Sequence, residues 1–348
     1  MYVNVNPAVL GLLRMAVVAV GLALLPGSAW AQNWDEIVAS AKKEGKLTLY
    51  HNIRPAGIEV VLQKFRKAYP EIQTEQIRLG SGPLNERFST EFNANRNLAD
   101  VLITYAEDKI LENVNTWFVQ WQPPELKNFP QDTSRSDRMF AIQQAREAIV
   151  WNKNLVKDAD APKDWADLFD PKWKGKVALN TPWRSISVQQ MFLYWEELGF
   201  KDAAERMRAN EVRFFEGSSG VIQAIIRGDV AVAHMTDIPL NPMLQDGAPV
   251  GFTYPKSGTT VSIAIAAVSA KAPRPNVSKV FVNWLMTKEG QAELLEQGGL
   301  SVTRNEAPAL SHLPATRDLP KTVDGLSLLK PERQTKLIEH WRTVFGVK

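Results

Sequence analysis

The chain has 348 residues, with 41 Lys and Arg against 38 Asp and Glu, a formal charge of +3, and no cysteine. So even a balance provides no basic stripe for nucleic acid or an anionic membrane surface, and the lack of cysteine excludes a small disulfide-stapled scaffold. With 45% hydrophobic residues the chain can bury an ordinary core, divided at this length into two domains.

At the front, Arg14 precedes the apolar run MAVVAVGLALL (15–25), Pro26-Gly27 breaks it, and Ala29-Trp30-Ala31 supplies an A-x-A cleavage pattern. This reads as a secretory signal peptide cut after Ala31. The competing reading, an uncleaved anchor, meets a run too short to span a bilayer comfortably. No cysteine follows for lipid attachment. The expectation is an exported, periplasmic protein.

Strand and helix patterns then alternate. GKLTLYH (45–51) leads to IEVVLQKFRKAY (58–69), with Ile58, Val61, Leu62 and Phe65 on one helical face. IQTEQIRL (72–79) runs through Gly80-Ser81-Gly82 into a helix whose Leu84, Phe88 and Phe92 are four apart, and ADVLIT (99–104) is a short buried strand. Strand, helix, strand, helix, strand is a parallel α/β signature. Pro123-Pro124 and QDTSRSD (131–137) suggest a passage between lobes. The scheme repeats with KVALN (176–180), VRFFEG (212–217) and DVAVAHM (229–235), each next to a helical pattern. PVGFTYP and TTVSIAIAAV read as further strands. Helices at 279–297 and 331–341 close the chain.

Several strand-to-helix loops share one chemistry: Gly80-Ser81-Gly82, the stretch Trp183-Arg184-Ser185-Ile186-Ser187, Gly217-Ser218-Ser219-Gly220, and Thr236-Asp237. Such a loop can cap its own helix, or leave the N–H groups and the positive end of the helix dipole to an external anion. In open α/β sheets these loops gather at the carboxyl ends of the strands, where ligands bind. Arg54 and Arg184 strengthen the anion reading, because a guanidinium forks onto a carboxylate or phosphate. Trp183 and Tyr50 could wall a pocket, and His51 ends a strand where it could line a cleft.

Catalysis is poorly supported. GSSG (217–220) has the wrong spacing for a nucleophile elbow, and His51, His234, His312 and His340 show no metal-ligand spacing. His234, in an apolar strand pattern, reads as a core residue. The sequence implies no catalytic residue, metal site or cofactor.

The order of segments resembles the family 1 extracellular solute-binding proteins of ABC importers, in the branch around the ferric-iron-binding proteins. The resemblance is carried by WDEIVASAKKEGKLTLYHN (34–52), RLGSGPLNERFSTE (78–91), DWADLFDPKWKGKVALNTP (164–182) and FVNWLMTKEGQAELLEQGG (281–299), among others. It implies an α/β, two-lobed periplasmic-binding-protein fold of type II. Each lobe would be a mostly parallel sheet flanked by helices, with hinge strands between. The divisions would be a signal peptide (1–31), lobe 1 (32–143), lobe 2 (144–257), and a return crossover to lobe 1 with C-terminal helices (258–348).

The resemblance does not specify the solute, but it implies where the solute binds. Carried over by position, ligand contacts fall at Arg54, Ser81, Gly82, Trp183, Arg184, Ser185, Ser187, Ser218, Ser219, Thr236 and Asp237, with Tyr50 and His51 as cleft walls. The expected partners are a small-molecule ligand and an inner-membrane ABC permease, with no nucleic acid, and the protein is expected to be a monomer. Iron-binding members hold the metal with adjacent tyrosines, whereas here that region reads MTDIPLNP. An organic anion (a phosphorylated sugar, phosphonate or carboxylate) therefore fits better than tyrosine-held ferric iron, and Asp237 leaves room for a zwitterion. Three alternatives stay open: iron held without tyrosine or with an anion's help, an exported hydrolase of anionic esters, and ligand presentation to a sensor.

Overall fold

The computed structural model describes residues 33–53, 55–105, 107–129, 134–298, 312–314, 318–319 and 321–347. The expected signal peptide and Arg54 lie outside them.

Eleven strands are described: β1 (Lys46–His51), β2 (Gln73–Arg78), β3 (Val101–Tyr105), β4 (Ser134–Ser136), β5 (Met139–Asn152), β6 (Val177–Asn180), β7 (Arg213–Phe215), β8 (Val232–Thr236), β9 (Val250–Thr253), β10 (Thr259–Val268) and β11 (Thr322–Asp324). They pair in the order β2-β1-β3-β10-β5-β8-β6-β7, with β4 and β9 on β5 and β11 on β10. β1 runs parallel to β2 and β3, and β6 runs parallel to β7 and β8. β10 and β5 are antiparallel to their neighbours in that path.

The helices are α1 (Trp34–Glu44), α2 (Pro55–Ala68), α3 (Ser81–Asn93), α4 (Asp108–Glu112), α5 (Val114–Trp117), α6 (Ile186–Glu197), α7 (Ala203–Ala209), α8 (Ser218–Arg227), α9 (Leu240–Gln245), α10 (Pro275–Met286), α11 (Lys288–Gly298), α12 (Gly325–Leu328) and α13 (Pro331–Phe345). None of the described helices is long and apolar enough to cross a membrane.

Each lobe buries both faces of its sheet, as parallel strands require. In the first lobe, Leu47 and Leu49 of β1 pack with Phe65, Phe281 and Trp284 on one face. Tyr50, one residue on, turns to the other face with Leu84, Phe88 and Trp117, because side chains alternate along a strand. In the second lobe Val232 of β8 joins Trp165, Phe192 and Trp195, while Ala233 joins Val221 and Ile225 on the opposite face. The four-residue spacing of Leu84, Phe88 and Phe92 does put all of them on the buried side of α3.

The passage between lobes differs from the reading of the prolines. It is strand β5 itself: Phe140–Arg146 pairs with β10, and Glu147–Asn152 pairs with β8 and β9. Pro124 instead starts a 3-10 turn whose Glu125 N–H donates to Asn283 Oδ1 of α10 at 3.0 Å, so that segment stays on the first lobe. A chain switching sheets inside one strand needs no turn residues, and none marks it.

The C-terminal helices are shared between lobes. α10 packs on α1 and α11 on α2, whereas α13 packs on α6 and α7. Trp341 of α13 stacks on Phe192 with ring centroids 4.3 Å apart.

Candidate functional site in the interlobe cleft

A cavity of about 490 Å³ lies between the lobes, within the size range of small-ligand sites. The first lobe contributes Asn52 and Ile53 after β1, Gly80 and Ser81 at the start of α3, Tyr105 at the end of β3, and Gln143 on β5. The second contributes Asn180 at the end of β6, Ser185 and Ser187 at the start of α6, Gly217, Ser218 and Ser219 at the start of α8, and Thr236 at the end of β8. Most of these positions lie at or just beyond the carboxyl end of a parallel strand, the edge where open α/β sheets bind ligands.

Three helices thus aim their N-termini at one cavity, and none has a side-chain cap on its first-turn N–H groups. Gly80 and Gly217, the residues before α3 and α8, have no side chain to offer. The hydroxyl of Ser185, before α6, instead faces Ser187 Oγ at 3.2 Å. Helix N-termini left this way carry unsatisfied N–H groups and partial positive charge, which suits an anion. Gly217 adopts φ 79°, ψ 160°, a conformation that only glycine takes without strain.

Asn180 ties two of these loops together. Its Oδ1 accepts the N–H of Thr181 at 2.8 Å and of Gly217 at 3.0 Å, leaving its NH2 as a donor at the cavity wall. Thr181 Oγ1 donates to the Phe215 carbonyl at 2.8 Å, locking β6 beside β7. Arg78 is steadied by a 3.0 Å bond from its Nε to the Ile53 carbonyl. Arg184 is exposed at the rim and pairs with Glu216 at 3.3 Å. At the same rim the lobes touch: a Cβ built on Gly80 would stand 3.6 Å from the Arg184 carbonyl oxygen.

Of the residues expected from sequence, Ser81, Arg184, Ser185, Ser187, Ser218, Ser219 and Thr236 line this cavity together. Gly82, half-buried in the first turn of α3, does not line it. Trp183 turns away to pack on Phe214, ring centroids 5.5 Å apart.

Asp237 is corrected more sharply. It is buried and engaged by Arg146, whose backbone N–H donates to Oδ1 at 3.0 Å and whose Nε donates to Oδ2. The Tyr254 hydroxyl also donates to Oδ2, at 2.6 Å. A carboxylate so occupied has no free face for a ligand amine.

Tyr50 and His51 are not cleft walls either. Tyr50 is buried on the α3 side of the sheet, where its hydroxyl donates to Glu91 Oε2 at 2.7 Å, and burial together with Glu91 pushes its pKa up to about 12. His51 is buried with Nε2 2.8 Å from Gln76 Oε1, and burial lowers its pKa to about 4, so it is neutral at ordinary pH. His234 sits in the second lobe's core among Trp165, Phe192 and Trp195, with Nε2 2.9 Å from Glu147 Oε2.

The sequence reading missed Asn52, Arg78, Tyr105, Gln143, Asn180 and Glu216. Asn52 and Asn180 had a signal, since both close strand patterns that open into site loops. Tyr105 and Gln143 had none: nothing local distinguishes them from ordinary strand residues.

Residues 57–321 match the model of a family described as bacterial extracellular solute-binding protein. A periplasmic protein of Salmonella typhimurium, provisionally named for 2-aminoethylphosphonate binding, is 26% identical over 322 residues, covering 87% of this chain and 88% of its own. In fold the chain is similar to the periplasmic binding protein AfuA of Actinobacillus pleuropneumoniae, solved with exogenous fructose-6-phosphate (TM-score 0.75, 20% identity, 88% of this chain and 100% of that one). It is also similar to iron-bound HitA of Pseudomonas aeruginosa (TM-score 0.72, 19% identity, 86% of this chain and 99% of that one).

Proposed function

Because the chain belongs to the bacterial extracellular solute-binding protein family, we propose that it captures a small organic anion in the interlobe cleft and delivers it to an ABC permease. The anion is a phosphorylated sugar, a phosphonate or a carboxylate. The protein acts in the periplasm as a monomer and performs no chemistry on its cargo.

One observation carries this reading: three uncapped helix N-termini, from both lobes, converge on a single cavity. Each supplies N–H donors and positive potential that need no counter-residue. Arg78 and Arg184 add formal charge at the wall and rim. An anion bound there bridges the lobes, so its binding energy favours the closed form, the hinge closure expected of such proteins.

Ferric iron suits these donors less well. Tyr105 is the cavity's one tyrosine among the described residues, and burial near Glu147 and Asp237 raises its pKa, which disfavours the phenolate that iron needs. Asp237 is already held by Arg146. Among the described residues no cavity serine is hydrogen-bonded to a histidine or carboxylate, and Glu216 is paired with Arg184, which gives the hydrolase reading no support.

The test is a thermal-shift panel on protein stripped of bound ligand by partial unfolding and dialysis. It contains sugar phosphates, phosphonates, di- and tricarboxylates, thiamine, polyamines, and ferric salts with and without citrate. A true ligand at ~1,000 times its dissociation constant adds ~4 kcal/mol, a shift of several degrees. Stabilisation by an organic anion supports the proposal. A response confined to ferric ion overturns it.

A further inference from the structure

Gln143 is only 4% exposed, lines the cavity, and has no side-chain hydrogen-bond partner among the described residues. Its amide opens onto the cavity, where a polar group of a ligand can meet it. Its placement is also built. Along β5 and β10 the pair Gln143–Ala264 is followed by Ala141–Ile265, so Ile142 is an extra residue, a β-bulge. Bulges of this kind redirect the adjacent side chain and recur beside binding sites. The bulge is held from behind by Gln291 of α11, whose Nε2 donates to the Ile142 carbonyl at 3.1 Å and to the Leu285 carbonyl at 2.9 Å.

Resting on the anionic reading above, we infer that Gln143 reads the end of the solute opposite its anionic group, selecting a tail that bears a hydroxyl or amine over an alkyl tail. A glutamine offers both a carbonyl acceptor and NH2 donors, so it matches a group that donates, or donates and accepts. An alkyl tail would leave the amide unpaired in the closed cleft, which is the stronger form of rejection. Tyr105 and Thr236 line the same cavity. The ligand is therefore bipartite, with its anionic head at the helix N-termini and a hydrogen-bonding tail against the hinge strand. Gln291 is a positioning residue that acts through the bulge.

The experiment is isothermal titration of matched ligands that exchange OH for CH3: 2-hydroxyethylphosphonate against propylphosphonate, and 3-hydroxypropionate against butyrate. Wild type, Gln143→Met and Gln143→Leu are compared, with the unliganded melting temperature of each. Wild type should prefer the hydroxylated member on the order of tenfold, the worth of one satisfied hydrogen bond. Both variants should bind the two members equally, with a melting temperature close to that of wild type, since the side chain they replace lines a cavity and holds no other group. Equal affinities in wild type, or a preference retained in both variants, overturns the inference while leaving the anionic reading intact. If no member of either pair binds, this inference is overturned, while the anionic reading stands or falls on the thermal-shift panel. Should the variants not fold, the wild-type preference alone decides.

Discussion

Arg146 and Asp237 are 91 residues apart in sequence, yet they form a buried ion pair at the point where β5 leaves one lobe's sheet for the other. Arg146 is the last β5 residue to pair with β10, and Asp237 follows directly after β8. Arg146 also donates to the Pro314 carbonyl at 2.8 Å, which ties the C-terminal region to the same pivot. Asp237→Ala strands a buried guanidinium and should cost about 3–5 kcal/mol of stability, the cost of breaking a buried pair from one side. Calorimetry on the unliganded protein checks this. A melting point within two degrees of wild type would remove the pair from the stabilising contacts.

Arg184 and Glu216 should act in opposite directions on binding. Arg184→Ala in an exposed loop costs only ~0.5 kcal/mol of folding energy, but it removes a positive charge from the cavity rim and should weaken anion binding. Glu216→Gln releases Arg184 from its 3.3 Å partner and should strengthen it. Both effects should shrink as salt is raised, since exposed charges are screened. Titrations at low and high ionic strength read the outcome, and an unchanged affinity in both variants would dismiss the rim pair from the site.

At position 217 the backbone is the point at issue. Its φ of 79° with ψ of 160° lies where a Cβ is strained, so Gly217→Ala should cost about 1–3 kcal/mol. The start of α8 would shift to relieve that strain, and ligand affinity should fall with stability. Retention of both would mean that the loop has an unstrained alternative path.

His51 links stability to acid. Its folded pKa of about 4 lies below the usual 6.5, because burial penalises the charged ring. Between those values the unfolded chain binds a proton that the folded chain does not. The stabilisation is therefore complete above pH 6.5 and is lost as pH falls towards 4, to a total of about 3 kcal/mol. His51→Gln should flatten the stability profile over this window in urea titrations at several pH values. A profile as steep as wild type would assign the acid sensitivity to other groups.

How much of this was legible depended on whether the signal was local. Glycine and serine before a helical period announced α3, α6 and α8, and the α/β alternation announced the sheets, because both follow from neighbouring residues. Asp237 misled because a polar residue after a strand looks the same whether it meets a ligand or an arginine from a distant strand. Tyr50 and His51 misled because strand ends were taken to face the cleft, whereas alternation and pairing with β2 turn both side chains into the protein. Gln143 was invisible, since a bulge exists only in the register between two strands.

The division of the C-terminal helices has a practical use. α1, packed on α10, belongs to the first lobe and α13 to the second, so the proposed closure of the cleft would change the distance between them. Glu36 and Glu339 are exposed on these helices and distant in sequence from the site loops. With no native cysteine in the chain, a thiol introduced at each would carry a donor and an acceptor dye without competing labels. Energy transfer between them would turn closure on a ligand into an optical signal, and the protein into a reporter for its own solute.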